Sequence, residues 1–159
     1  MTTVQAGHAD PLNYTALGEF RYQIRRFLHF SEEAAKAHDL EPQQHQMLLA
    51  IRALDEPGGS TIGRLAERLF IRHHSAVGLV DRLAGQGLVE RCRESVDRRQ
   101  VHVRLSAAGQ SRLKLLAEAH QEELRNLGPK LITALSDVLS NLPVETGETA
   151  PRESVSISQ

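Results

Sequence analysis

The sequence has few aromatic residues and almost no cysteine, and both shortages narrow the fold. Tryptophan is absent and aromatics make up 4% of the 159 residues, while the hydrophobic fraction reaches 40%. A chain with this hydrophobic fraction can form a core without disulfide bonds, and aliphatic side chains must fill that core. The lone cysteine, Cys92, excludes a disulfide framework within the chain. Residue types that favour helices dominate instead, so we expect one mainly helical domain.

Long hydrophobic runs are also missing. No segment approaches the roughly 20 apolar residues of a membrane-spanning helix, and the first ten residues lack the pattern of a signal peptide. We therefore expect a cytoplasmic protein with no membrane partner. Glycine-rich phosphate loops, nucleophile elbows and metalloprotease-type histidine pairs are absent as well, so we expect neither an enzyme nor a cofactor.

Charge is unevenly spread along the chain. The net charge at pH 7 is only -1. Between Ser60 and Leu105, nine arginines stand against five acidic residues, a local excess of +4, so the rest of the chain carries -5. The planar guanidinium of arginine suits phosphate and guanine better than the ammonium of lysine does. A solvated arginine-rich surface would show the same pattern, so charge alone makes nucleic acid only a candidate partner.

Apolar residues recur every three or four positions in six segments, the pattern of amphipathic helices. We predict helices over residues 12–36, 43–54, 62–69, 73–85, 107–127 and 131–142. Proline and glycine mark several of their limits. Gly87 follows the fourth helix, and Gly128 with Pro129 should interrupt the chain between the last two.

Two segments, residues 88–94 and 101–105, switch to a period of two, which predicts strands. The second strand alternates two sets of side chains: Val101, Val103 and Leu105 against His102 and Arg104. Residues 95–100 join the segments and are rich in charge. We therefore predict a β-hairpin with a charged tip.

The order helix, tight turn, helix, strand, charged loop, strand over residues 61–105 is that of a winged helix-turn-helix. The predicted fold class is mainly α with a small β-hairpin wing, in one domain over residues 12–142. Residues 43–105 form its winged helix-turn-helix lobe. The remaining segments, 1–11 and 143–159, should be disordered, and the second is rich in Ser, Thr and Glu.

The first and last helices, in residues 12–38 and 107–142, offer more apolar surface than such a small lobe can cover. A second copy of the chain is the natural place to bury the excess, so we expect a homodimer. The alternative is that these helices simply cap their own domain.

Several short motifs of the lobe resemble the core of the MarR (multiple antibiotic resistance regulator) family in order and spacing. They are Leu65–Leu69, Ser75–Val77, Val80–Leu83, Gly87–Arg91, Asp97–Arg99 and 101–109. Each motif is weak alone, but their succession makes chance unlikely. The resemblance covers roughly residues 12–141, and it implies a bacterial transcription regulator that binds a pseudo-palindromic DNA operator as a homodimer.

A helix-turn-helix presents the N-terminal and outward side of its second helix to base edges in the major groove. The residues predicted there are Arg72, His73, His74, Ser75, Gly78 and Arg82. Adjacent histidines in a helix point about 100° apart, so His73 and His74 suit DNA better than one shared metal ion.

The resemblance assigns the wing tip to the minor groove. It implies that Arg99, with Arg98, inserts there while Asp97 braces the arginine by an ion pair. A narrow minor groove concentrates negative potential, and a hairpin tip can reach into it. Arg91, Arg93 and Arg104 are then phosphate contacts or supports of the wing.

The resemblance also implies a repressor that a small aromatic or phenolic ligand releases from DNA. Arg26, His29 and His45 lie on the first two helices, near the junction with the lobe, and are the predicted ligand-binding residues. Such a ligand weakens DNA binding only through its differential affinity for the incompetent state.

Three alternatives stay open. Cys92 lies between Arg91 and Arg93, which favour a thiolate, so the protein could be a thiol-based redox sensor, although no resolving cysteine exists. The winged helix could instead be a protein-interaction module without DNA binding. His38 and His45, with His29 and Asp39 nearby, could hold zinc, but no paired ligand spacing supports this and we expect no metal site.

Three residues depart from the family pattern. Ser95 stands where proline is frequent, Phe70 where the helix-turn-helix turn often has glycine, and Arg72 where serine often caps the recognition helix. These departures leave the predicted fold intact but put in doubt the backbone geometry of the turn and the operator sequence.

Overall fold

Five helices and a short hairpin make up the part of the chain that the computed structural model describes, residues 13–54, 59–93 and 101–140. The elements are α1 (Tyr14–Ala37), α2 (Pro42–Ala53), α3 (Ile62–Arg68), α4 (His73–Gly85), β1 (Val89–Arg93), β2 (Val101–Leu105) and α5 (Ala107–Ser140). The predicted fold class, mainly α with a β-hairpin wing, is confirmed. The segments 1–11 and 143–159, which we expect to be disordered, lie outside the described residues.

Local capping fixes where three of the helices begin. Glu41 and Gln44 form a reciprocal capping box at the start of α2. The Oγ1 of Thr61 accepts from the Arg64 amide, 3.4 Å away, at the start of α3. At α5, the Oγ of Ser106 accepts from the Gly109 amide at 3.0 Å. Each bond satisfies an amide that has no partner within the helix.

The predicted break at Gly128 and Pro129 is wrong, because α5 runs without interruption and contains Pro129. A proline inside a helix removes one backbone hydrogen bond and crowds the preceding turn. Here α5 is buried on both sides of the proline, at Leu127 and at Ala134, and it packs along α1. Tertiary packing therefore holds two segments together that local propensity would separate.

The core of the lobe lies between α2, α3, α4 and the hairpin. Its fully buried side chains include Leu48, Leu65, Val80, Leu83 and Val103. The strands pair antiparallel, with Val89 opposite Leu105 and Arg93 opposite Val101. This packing sets the position of α4 relative to the wing.

Both faces of β2 are partly buried. Val103 is fully buried, as the alternation of apolar and polar residues predicts. His102, on the opposite face, is also buried, with 6% exposure. His102 forms a bridge with Thr61 and packs against Gly59, whose φ is +59°. A Cβ at position 59 would lie 2.3 Å from Nδ1 of His102, so the imidazole fills the space that this glycine leaves open.

Candidate nucleic-acid interface

The turn between α3 and α4 fixes how the two helices of the helix-turn-helix meet. The Ile71 amide donates to the Ala66 carbonyl at 3.0 Å, and the Phe70 amide donates to the Glu67 carbonyl at 3.1 Å. This is the Schellman pattern, which requires a left-handed residue after the helix. Phe70 occupies that position with φ +53°. The Phe70 departure from glycine therefore leaves the turn's geometry intact.

The helix α4 divides into a buried and an exposed face. Ala76, Leu79, Val80 and Leu83 are buried against the lobe. Its first turn faces outward, and four of the predicted DNA-facing residues there are exposed: Arg72, His73, His74 and Ser75. Among the described residues, the side chains of Arg72, His73 and His74 have no hydrogen bond or ion pair. They are free to bind a ligand outside the chain.

The start of α4 also presents unsatisfied backbone amides. Arg72 occupies the N-cap position, and its side chain makes no capping hydrogen bond. The amides of His73 and His74 belong to the first turn, where no carbonyl within the helix can accept from them. Free amides and the positive end of the helix dipole favour an anion such as a phosphate.

Gly78 and Arg82 lie one turn apart on α4. A Cβ at Gly78 would approach Nη1 of Arg82 at 3.6 Å, an ordinary contact. Packing within the chain therefore does not require glycine at position 78. The glycine leaves the backbone of α4 open to a close approach from outside, on the side where Arg82 is exposed.

The C-terminal end of α4 is clamped by its neighbours. The Leu88 amide donates to the Leu83 carbonyl at 2.9 Å, and Gly87 has φ +70°. The Ser106 hydroxyl donates to the Gly87 carbonyl at 2.6 Å. A Cβ at Gly109 would lie 2.0 Å from the Leu88 carbonyl oxygen, so α5 touches this turn directly.

An ion pair links the recognition helix to the wing. Nη2 of Arg91, on β1, lies 2.7 Å from a carboxylate oxygen of Asp81, on α4. This ion pair connects β1 to α4, and the predicted role of Arg91 as a phosphate contact or wing support stays a prediction. Arg104 is exposed on β2, and Arg93 is the last residue of β1. The predicted wing-tip residues Asp97, Arg98 and Arg99 lie outside the described residues, as does Ser95.

The model of the MarR family matches residues 38–100, which include α2, α3, α4 and β1. A helix-turn-helix transcriptional regulator of Mycobacterium bovis is 33% identical over 98 residues, covering 62% of this chain and 68% of the relative. The chain belongs to the MarR family. YsmB, a regulator of Bacillus subtilis, is 30% identical over 79 residues, which span 50% of this chain but only 54% of the relative.

Solved structures share the fold of this MarR-family chain. A MepR mutant of S. aureus bound to an oligodeoxyribonucleotide superposes with a TM-score of 0.62 at 19% identity, covering 82% of this chain and 99% of that one. NadR in complex with 4-hydroxyphenylacetate gives a TM-score of 0.56 at 25% identity, covering 87% and 96%. Both relatives above are named as transcription regulators, not as enzymes.

The predicted ligand-binding residues of this MarR-family chain have different environments. Arg26 and His29 are exposed on α1, and the Arg26 guanidinium lies 6.0 Å from the ring centre of Tyr22. His45 is buried on α2, with 4% exposure. No contact among the described residues joins Arg26 or His29 to His45. The structure therefore does not bring the three residues together, and their role in ligand binding stays a prediction.

His45 packs against His120, a residue that the sequence analysis did not single out, with the two rings tilted by 43°. The two ring centres are 4.9 Å apart. Nδ1 of His120 lies 2.6 Å from the Leu116 carbonyl and Nε2 lies 2.9 Å from the Ser31 hydroxyl. His120 follows the same spacing of three or four residues as the leucines of α5, and this spacing indicates that its side chain points inward.

Burial governs the protonation of His45. Its Nδ1 is buried without a hydrogen-bond partner among the described residues. Desolvation, followed by the nearby imidazole of His120, lowers the pKa of His45 to about 4. The ring is therefore neutral at physiological pH, and protonating it disfavours the packing of α2 against α5.

The remaining candidates have ordinary surroundings. Cys92 is half-buried, and its thiol donates weakly to the His102 carbonyl, 3.6 Å away. Its neighbour Arg91 pairs with Asp81 instead. Within residues 13–54, 59–93 and 101–140, no group of three metal-ligating side chains converges. None of the helices in these ranges has both the length and the apolar character needed to cross a membrane.

Proposed function

We propose that this MarR-family protein is a homodimeric, sequence-specific DNA-binding regulator that inserts α4 into the major groove. The observation that carries the proposal is the outward face of α4, where Arg72, His73 and His74 are exposed and lack partners among the described residues. A guanidinium and imidazole groups without partners at the start of a helix can bind phosphates and base edges. The MepR mutant, which shares the fold, was solved bound to an oligodeoxyribonucleotide, and this supports DNA binding by the present chain.

The wing completes the proposed interface. The packing of β1 on α4, to which the exposed ion pair of Arg91 with Asp81 adds a little, sets the orientation in which the hairpin would reach the duplex beside α4. We propose that Arg98 and Arg99, braced by Asp97, enter the minor groove there. Arg93 and Arg104 would contact phosphates or support the wing.

Exposed apolar side chains on α1 and α5 support dimerisation. They include Tyr14, Leu17, Leu28, Ile132, Leu135 and Leu139, of which Ile132 is 68% exposed. A second copy is the partner that would bury such a surface on both terminal helices. A two-fold dimer presents two copies of α4 to successive major grooves, about 34 Å apart, which predicts a pseudo-palindromic operator.

We further propose that a small aromatic or phenolic acid releases the repressor from DNA. A groove of about 500 Å³ lies between α2 and α5, with an apolar lining from Leu49, Leu105 and Leu113. Arg52 and Lys114 supply positive charge at the groove. The pair of His45 and His120 lies one turn further along the same two helices. Such a site suits a ring with a carboxylate, and NadR was solved with a ligand of this kind.

The test of DNA binding is fluorescence anisotropy with a labelled duplex from upstream of the gene and a scrambled control, at two salt concentrations. Selective binding that weakens steeply with salt is the expected result. Arg72→Ala should lose about 1 to 3 kcal/mol of binding free energy. Arg125→Ala is the matched control, because Arg125 is an exposed arginine of α5 paired with Glu122, and it should bind like the wild type. Equal binding of both duplexes by the wild type would contradict sequence-specific binding, and no binding to either duplex would favour the protein-interaction module instead.

Dimerisation has its own test, sedimentation equilibrium of the full chain. We expect twice the chain mass, and Ile132→Glu should shift it towards the monomer because a charge in an apolar interface is costly. Leu49→Glu, which changes an exposed apolar residue on α2 outside the two terminal helices, should stay dimeric. A monomeric wild type would contradict the proposed dimer.

The effector is tested by adding 4-hydroxyphenylacetate to the preformed DNA complex. Release of the duplex, with weaker release for Lys114→Gln than for the wild type, supports the proposed groove. Lys36→Gln is the control, since Lys36 pairs with Glu33 at the far end of α1. Release that is equal in both variants would place the acid elsewhere.

A further inference from the structure

Phe70 is far more exposed than any other large apolar residue among those that the structure describes. Its side chain is 97% exposed, against 68% for Ile132, the next in order. The other exposed apolar residues lie on α1, α2 and α5. Phe70 stands apart from them, in the turn that leads into α4.

The fold gives no reason for a phenylalanine at this position. The Schellman turn needs a residue with positive φ, which glycine adopts freely and asparagine adopts more readily than other residues. Phe70 adopts φ +53° although its ring packs against nothing that would compensate. The backbone geometry disfavours phenylalanine here, and burial within the chain does not offset this.

The surroundings of Phe70 indicate the chemistry of what covers it. Arg68 and Arg72 flank it and are exposed, and neither has a partner among the described residues. The chain holds no acidic residue from Arg68 to Val80. His73 and His74 follow at once with the open amides of α4. A surface with this charge suits a polyanion, and it is continuous with the proposed DNA interface.

We propose that Phe70 is a DNA contact, and that its ring packs on the apolar deoxyribose edge of the duplex beside the point where α4 enters the groove. This inference rests on the proposed DNA binding. A duplex offers apolar carbons on its sugars and on the thymine methyl groups, and an aromatic ring between two arginines can cover them while the guanidinium groups bind the adjacent phosphates. The DNA contact then explains both why the ring is exposed and why phenylalanine occupies a position that its backbone conformation disfavours.

The experiment compares Phe70→Gly, Phe70→Asn and Phe70→Tyr with the wild type in the full-length protein. Urea denaturation measures stability, anisotropy measures affinity for the operator and scrambled duplexes, and sedimentation reports the oligomeric state. We expect the Gly and Asn variants to be at least as stable as the wild type, yet to bind DNA about tenfold more weakly because the ring contact is lost. Phe70→Tyr keeps the ring and should bind like the wild type.

The sugars carry no sequence information, so the loss should be the same factor on both duplexes. Unchanged affinity in the Gly and Asn variants, with a wild type that binds the operator, would overturn the Phe70 contact alone. A wild type that binds no duplex would overturn the proposed function and this contact with it. A changed oligomeric state in the Asn variant would mean that Phe70 contacts a second copy, and would overturn the proposal as well.

Discussion

The two ends of α4 are bounded by turns with the same hydrogen-bond pattern and opposite surroundings. At the C-terminal end, Gly87 takes the left-handed position, and Ser106 and Gly109 hold the turn against α5. At the N-terminal end, Phe70 takes the same position and is 97% exposed. The same type of turn can thus pack against another helix at one end of α4 and remain exposed at the other end. The two turns differ in the residue at the left-handed position, glycine in the first and phenylalanine in the second.

We expect the largest loss of stability from a substitution at the C-terminal end of α4, where α5 contacts the turn. Gly109→Ala would place a methyl group against the Leu88 carbonyl oxygen, at 2.0 Å, so α5 or the turn must shift. We expect a loss of about 3 kcal/mol in the free energy of unfolding, measured by urea denaturation.

Gly85→Ala is the control for this substitution, since Gly85 is at the same end of α4 and a Cβ there meets nothing within 4 Å. It should be neutral or slightly stabilising, because alanine has the higher helix propensity. Equal stability of the two variants would mean that the contact between α5 and the turn does not hold this end.

Acid should weaken the packing of α2 against α5, where His120 lies against His45. The pKa of His45 is about 4 in the folded protein, below the ordinary value of 6.5. The unfolded chain therefore binds the proton more readily, so this stabilisation is complete above pH 6.5 and is lost as the pH falls towards 4. The lowered pKa corresponds to about 3 kcal/mol of stability.

Urea denaturation between pH 4 and pH 7 measures this dependence. His45→Gln removes the titrating ring, so its stability should fall less steeply with pH than that of the wild type over this range. Parallel curves for the two proteins would assign the acid sensitivity to other groups.

Substitutions at the left-handed positions of the two turns should change stability in opposite directions. Gly87→Ala forces a Cβ into φ +70° and should lose about 1 kcal/mol of stability. Phe70→Gly should have the opposite sign, up to about 1 kcal/mol of gain, reduced by the greater freedom of glycine in the unfolded chain. Thermal denaturation of both variants tests this, and a loss in Phe70→Gly would show that the ring stabilises the fold.

The smallest expected effect concerns the ion pair of Arg91 with Asp81. Both side chains are substantially exposed, at 40% and 57%, so the pair should contribute only about 0.5 kcal/mol. A double-mutant cycle with Arg91→Gln and Asp81→Asn isolates this coupling. A coupling near zero would indicate that strand pairing alone orients the wing.

Local signals predicted a large part of the architecture. The bounds of α4 and β2 agree to the residue with the predicted segments, because a capped helix and an alternating strand are specified by their own residues. The outward position of Arg72 and His73 followed from the same periodicity. Pro129 shows where such signals fail, since packing along α1 outweighs the lost hydrogen bond.

The sequence by itself determined the helices, the hairpin and the arginine-rich middle segment, because these depend on neighbours three or four positions away or on composition alone. Only the tertiary structure decided that His120 meets Ser31, 89 positions earlier, and that His102 fills the space beside Gly59. It also showed that Phe70 has no cover within the described chain. Contacts between distant residues depend on how elements pack, which no local pattern encodes.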